Sequence, residues 1–271
     1  MFAGVDVGAT LTKVYWQSLG RPRYASTANH SFDFILEALQ AQGITKLHMT
    51  GVGRAKDVPG FVTKRMPGDP LLNEVVLQAQ GARLLIPQDP AGSNQFLLAS
   101  VGTGTSYALV LPKGMGPPLM GNPLGGGTIL GVAWIMGVRD PKDIDALAAA
   151  GQPQDIRMKD RLLELYGDIR DEFILSYFGG FVGKEVSKED VLATVVNLVA
   201  VSLIRESIVV AEKGFGDACQ TLVCIGSTVN QFSTLRRYLE MYGLMLGKQV
   251  VFPDKGEYAA AIGAYLSEDM E

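Results

Sequence analysis

The chain opens Phe2-Ala3-Gly4-Val5-Asp6-Val7-Gly8-Ala9-Thr10-Leu11-Thr12-Lys13-Val14-Tyr15-Trp16-Gln17. Phe2 to Val7 reads as a buried strand. Gly8-Ala9-Thr10 is a turn, and a second strand runs around Thr12 to Gln17. A break at Gly20-Arg21-Pro22 and a β-like Tyr24 to Thr27 add a third strand, which makes a meander. The first turn carries its own chemistry. Gly8 permits close backbone approach, Thr10 adds a hydroxyl donor and Lys13 adds a point charge. Asp6 at the strand end can hold Mg²⁺ through water.

Further along, Phe32, Ile35, Leu36 and Leu39 recur at helical spacing, so a helix is expected between Ser31 and Gln42 with Gly43 as its stop. Lys46 to Thr50 reads as a strand. Leu71 to Leu85 reads as a helix entered after Pro70 and carrying Asn73, Glu74 and Gln78. The Pro/Gly/Asp/Ser-rich connection from Pro87 to Asn94 is the best boundary, dividing the chain into lobes 1–94 and 95–271. Beyond it the opening pattern starts again: strand Gln95 to Ser100, turn Val101 to Thr105 and strand Ser106 to Leu111. Duplicated lobes explain that repetition.

A third cluster, Gly125-Gly126-Gly127-Thr128, precedes an apolar helix from Ile129 to Met136, where amide donors and the positive helix end would face a phosphate. Helices are expected over Pro141 to Ala150 and Arg157 to Leu165. A long helix should run from the cap-like Ser187-Lys188-Glu189-Asp190 to about Lys213. Strand Thr221 to Ile225, turn Gly226-Ser227, helix Ser233 to Tyr242, strand Gln249 to Phe252 and a last helix Glu257 to Leu266 complete an α/β pattern. One such glycine turn is compatible with a plain hairpin, but three point to a phosphate-binding cleft. Neither the Walker spacing nor the dinucleotide spacing Gly-x-Gly-x-x-Gly is present.

Composition narrows the classes. With 47% hydrophobic and 19% charged residues, the 271-residue chain has material for a real core and is not disordered. Its net charge of −4 offers no basic face for a nucleic acid. No leader pattern is visible, and the apolar run Val191 to Ile204 falls short of a bilayer span. Cys219 and Cys224 make no disulfide framework, and His30 and His48 lack metal-ligand spacing. A reduced, cytoplasmic protein without nucleic-acid or membrane partners is expected.

These motifs carry a resemblance. Asp6-Val7-Gly8-Ala9-Thr10 with Lys13 resembles the first phosphate loop of the actin-like ATPase superfamily, which includes acetate and sugar kinases. The match sharpens within the type II (eukaryotic-like) pantothenate kinases. Asn73-Glu74 is similar to that family's catalytic helix, Val101-Gly102-Thr103-Gly104-Thr105-Ser106 to its second loop and Leu124 to Gly131 to its third. Gly226-Ser227 resembles the nucleotide-side turn, and Glu257-Tyr258 with Gly263-Ala264 the closing signature. The blocks follow the family's order over almost the whole chain.

The resemblance implies a two-lobe actin-like ATPase (ribonuclease H-like) fold with an interlobe ATP cleft. It also implies ATP- and Mg²⁺-dependent phosphorylation of the primary hydroxyl of pantothenate or a close pantoyl compound. Glu74 would be the general base. Asp6, Gly8, Thr10, Lys13, Gly102, Gly104, Gly125, Gly126, Gly127, Thr128, Gly226 and Ser227 would hold the nucleotide, with Asp6 also serving the metal. Thr103 and Ser106 would orient the acceptor. A homodimer through the long helix is implied as well. Two departures stand out: Pro118 occupies the position of the family's carboxylate-binding arginine, for which Lys113 or Arg139 could substitute, and Ala9 replaces a frequent glycine. A sugar kinase of the same superfamily and a non-catalytic ATP-binding regulator remain the alternative readings.

Overall fold

The computed structural model describes residues 1–28, 32–51, 58–87, 95–112, 114–116, 121–161, 167, 169–215 and 220–267. The first half contains β1 (Phe2–Val7), β2 (Leu11–Ser18), β3 (Arg21–Ala28), α1 (Phe32–Ala41), β4 (Lys46–Thr50), β5 (Val62–Arg65) and α2 (Pro70–Leu85). Its sheet has the order β3-β2-β1-β4-β5; β1 to β3 are antiparallel, whereas β4 and β5 run parallel to β1. The meander is therefore present, and β5 is an added edge strand.

The second half begins with β6 (Phe96–Val101), β7 (Thr105–Val110), β8 (Gly121–Asn122), α3 (Gly126–Ile135), α4 (Pro141–Ala150), β9 (Ile156–Arg157) and β10 (Ile174–Ser176). It continues with α5 (Lys188–Phe215), β11 (Thr221–Ile225), α6 (Ser227–Gln231), α7 (Ser233–Met245), β12 (Gln249–Val251) and α8 (Ala259–Leu266). The sheet order β12-β11-β6-β7-β8 repeats the first one strand for strand, again with an antiparallel meander and two parallel neighbours. The likeness extends to a bend. Gly51, after β4, has φ +96° and lies on the backbone of Val7; Gly226, after β11, has φ +106° and lies on the backbone of Val101. Only glycine suits that left-handed, tightly packed corner.

Helices lock the halves together. Ala79 and Ala82 of α2 share a core with Phe96, Leu98, Ala108 and Val110 of the second sheet. Ala261 and Ile262 of α8 pack on Tyr15 of the first. The larger core surrounds α5, whose Leu192, Val195, Val196, Val199 and Ala200 are completely buried. This helix exceeds the 14-residue apolar run seen in the sequence and is long and apolar enough to cross a bilayer, but most of its apolar span is covered by the protein. Its buried Asn197 ties the core: Nδ2 donates to Asp155 Oδ2 at 2.7 Å, and Oδ1 accepts from the Tyr242 hydroxyl at 2.7 Å. Burial pushes the Asp155 carboxyl above its ordinary range. Asn197→Leu keeps the volume but strips a donor from Asp155 and the acceptor from Tyr242, so urea unfolding should show a loss of about 2–4 kcal/mol.

Some expected elements differ. The helix expected from Arg157 is replaced, over its described part, by β9 and a single 3₁₀ turn, Met158–Asp160. The Met158 amide is held by Phe173 O at 2.8 Å and the Asp160 carboxylate accepts from Arg157 N at 2.7 Å, so tertiary partners win over helical spacing. The last helix starts at Ala259 after a 3₁₀ turn, Gly256–Tyr258.

Candidate active site

β1 and β2 build the first corner of the site. Their register sets Asp6 opposite Lys13, and the side chains meet at 3.5 Å between Asp6 Oδ2 and Lys13 Nζ. In the second sheet the corresponding register sets Ser100 opposite Ser106. The two hairpins thus differ at matching positions, with a charged pair in one and two hydroxyls in the other. Both hairpin turns, 8–10 and 102–104, open into one cleft of about 720 Å³. Across it, Thr10 Oγ1 and Thr103 Oγ1 lie 3.5 Å apart, so residues 93 positions apart in sequence bring the two loops to one point.

The cleft is lined by thirteen of the expected site residues: Asp6, Gly8, Thr10, Lys13, Glu74, Gly102, Thr103, Gly104, Ser106, Gly126, Gly127, Gly226 and Ser227. Gly125 and Thr128 do not line it. The third glycine run also works differently from the expectation of amides aimed at a phosphate. Gly125 caps α3, and Gly126 and Gly127 form its first turn rather than a preceding loop. Gly126 N donates to Gly102 O at 2.8 Å and Gly127 N to Thr103 O at 2.9 Å. Side chains there would collide: a Cβ at Gly125 would stand 2.8 Å from Thr103 O, and one at Gly127 2.9 Å from the same atom. The start of α3 therefore clamps the second loop. Thr228 adds to the clamp, its Oγ1 donating to Gly102 O at 2.8 Å.

Glu74 reaches the cleft from the second turn of α2. Asp69 caps that helix, accepting from Leu71 N at 2.8 Å, and Pro70 fits its first position. Asn73 Nδ2 bonds Met66 O and Pro67 O, each at 3.1 Å, which fixes the approach of the helix. One turn later, Gln78 Nε2 donates to Glu74 Oε1 at 3.0 Å. Gln78 is buried, so the Glu74 carboxylate is held by a side chain that is itself held.

Asp6 is only 5% exposed, and its Oδ1 is buried and accepts no hydrogen bond. Burial raises its pKa, and the Lys13 ammonium opposes the shift without cancelling it. An oxygen left in this state suits a hydrated divalent cation. His48 lies elsewhere, buried in β4 and stacked on Phe2 with ring centroids 5.0 Å apart. Cys224 is buried in β11, and burial pushes its thiol up to about 12. Arg139 is not among the described lining residues of the cleft: its guanidinium bonds Trp134 O at 2.6 Å and stacks over the Trp134 ring at 4.1 Å. His30, Lys113, Pro118 and Cys219 lie outside the described residues.

Sequence reasoning missed the structural roles of Gln78, Asn122 and Thr228. Thr228 follows Gly226-Ser227 directly, so the hydroxyl run after a strand was its available signal. Asn122, which accepts from Leu124 N at 2.7 Å and lines the cleft, has no such signal.

Comparison with known proteins agrees with this geometry. A type II pantothenate kinase of Staphylococcus aureus (strain USA300) is 26% identical over 277 residues, covering 99% of this chain and 100% of the relative. Along its whole length the chain resembles the type II pantothenate kinases. The Staphylococcus haemolyticus enzyme of the same name is 25% identical over 97% of the chain. No protein-family model matches. Among solved structures, a ROK family glucokinase from Streptomyces griseus, in complex with glucose and AMPPNP, aligns with a TM-score of 0.55 at 11% identity, covering 97% of both chains. The ethanolamine utilization protein EutJ from Carboxydothermus hydrogenoformans aligns at 0.55 and 14% identity, covering 97% of this chain and 88% of that one. The fold is the two-lobe actin-like ATPase fold, and the resemblance to type II pantothenate kinases supports an ATP-dependent kinase.

The left-handed corner at Gly226 gives a direct check on the site. In Gly226→Ala the new methyl meets the backbone of Val101 at a φ that L residues avoid. The midpoint of thermal unfolding should fall by about 4 °C or more, from a cost above ~2 kcal/mol, and the KM for ATP should rise.

Proposed function

We propose that this chain is an ATP-dependent kinase acting on the primary hydroxyl of pantothenate or a close pantoyl compound, the entry step of coenzyme A biosynthesis. One observation carries the reading: the two hairpin loops meet across the cleft at Thr10 and Thr103, and Glu74 lines that same cleft. Phosphoryl transfer needs positioning, charge neutralisation and a base near the attacking oxygen. Loops 8–10 and 102–104 cradle the phosphates, with Lys13 as the point charge. Gly125, Gly126 and Gly127 act through the second loop, which they brace, and Thr128 closes the first turn of α3 on Gly125 O. Gly226 and Ser227 border the nucleotide from the other side. Thr103 and Ser106 orient the acceptor, and Glu74 takes its proton as the oxygen attacks. Asp6 would hold Mg²⁺ through water, where the ion neutralises the phosphate oxygens.

The lobes 1–94 and 95–271 are proposed to close on the nucleotide and exclude water. We also propose a cytoplasmic homodimer, with exposed Val209 of α5 as part of the contact. A sugar-kinase reading rests on likeness to solved sugar-kinase structures at 11% and 14% identity, which concerns the fold. ADP release with Mg²⁺-ATP and pantothenate, pantetheine or glucose in turn is the test. Turnover with a pantoyl compound supports the proposal, turnover with glucose alone transfers it to the sugar kinases, and ATP binding without acceptor-dependent turnover leaves a regulator.

A further inference from the structure

The charge balance of the cleft defines the acceptor more narrowly. Among its described lining residues Lys13 is the one cation, against the carboxylates of Asp6, Glu74 and Glu257. Lys13 is already engaged with Asp6 at the first loop. Among the described lining residues, Gly121 pairs with Ser106, Asn122 and Leu130 bring no charge, and the sequence from 114 to 138 contains no charged side chain. Two arginines of the second half have partners of their own: Arg139 meets Trp134, and Arg236 meets Val229 O, Asn230 and the Phe252 ring. Arg83, in the last turn of α2, bonds Leu111 O and Gly114 O.

ATP brings its own counter-ion as Mg²⁺, but a carboxylate acceptor brings none. It would share the cleft with Glu74, and among the described lining residues only Lys13, already paired with Asp6, could receive it. We infer that the acceptor is electrically neutral: a primary alcohol followed by amide groups and no free carboxylate, for which Asn122, Ser106 and Gln78 supply uncharged hydrogen-bonding groups. The inference rests on the kinase reading of the cleft and specifies its substrate class.

Steady-state kinetics with saturating Mg²⁺-ATP would compare pantothenate with two neutral counterparts, pantetheine and an N-alkyl pantothenamide, at about 0.05 and 0.5 M NaCl. The neutral compounds should have kcat/KM on the order of tenfold higher or more. The KM for pantothenate should fall with added salt, because screening weakens the repulsion, while the neutral KM values stay constant. Equal or better use of pantothenate, with a KM that rises with salt, overturns the inference and leaves the pantoyl kinase reading intact. No turnover of any of the three overturns both.

Discussion

Replacing Glu74 with glutamine is expected to lower kcat by about 10²- to 10⁴-fold, the usual contribution of a positioned general base, with the dissociation constant for ATP unchanged. The substitution keeps the size of the side chain and an oxygen that can accept from Gln78 Nε2, so the 3.0 Å contact can persist. It leaves untouched the cap from Asp69 and the Asn73 bonds that aim α2. Thermal unfolding should therefore match the wild type, which separates lost chemistry from lost structure. ADP release and calorimetric titration with an ATP analogue, run on the same preparation, read both sides. An unchanged kcat would remove Glu74 from the reaction and leave the Thr10–Thr103 meeting point as a nucleotide site without a base.

Local signals made much of this architecture legible. The opening meander, the restart at Gln95 and helix α2 follow from alternation, glycine punctuation and helical spacing, and each stands close to its expected limits. What escaped depends on partners distant in sequence. β5 is short and mostly exposed, with Lys64 and Arg65 outside, and pairs with β4 as an edge strand, so no apolar alternation announces it. The third glycine run reads in isolation as a phosphate turn. Its amides are instead consumed by carbonyls of residues 102 and 103, a contact made only when α3 folds against the second hairpin. Likewise, the Asp6–Lys13 pair is legible in the register of β1 and β2, whereas the burial that raises the Asp6 pKa is seen only in the folded chain.

That burial makes Asp6→Asn the most informative second variant, because its effects on stability and on activity should have opposite signs. The folded protein holds the Asp6 carboxyl above its ordinary pKa, burial being the largest cause and Lys13 the partial offset. The neutral form is thus favoured by folding. Its contribution is fully present below the unfolded pKa and is lost as pH rises through the folded one. Holding this carboxyl against its raised pKa is a net cost to the empty protein at neutral pH, which the proposed Mg²⁺ would offset. Asparagine removes that cost and leaves Lys13, which is 13% exposed, with a route to water. The variant should unfold at a higher temperature than the wild type at pH 7, with the difference shrinking as pH falls through the carboxylate range. Turnover should drop by about 10²-fold or more, since a catalytic metal supplies several kcal/mol, and Mg²⁺-ATP should stabilise the wild type but barely shift the variant. If Asp6→Asn instead unfolds earlier at pH 7 and still gains stability from Mg²⁺-ATP, Asp6 is only the ion-pair partner of Lys13 and the metal is held elsewhere.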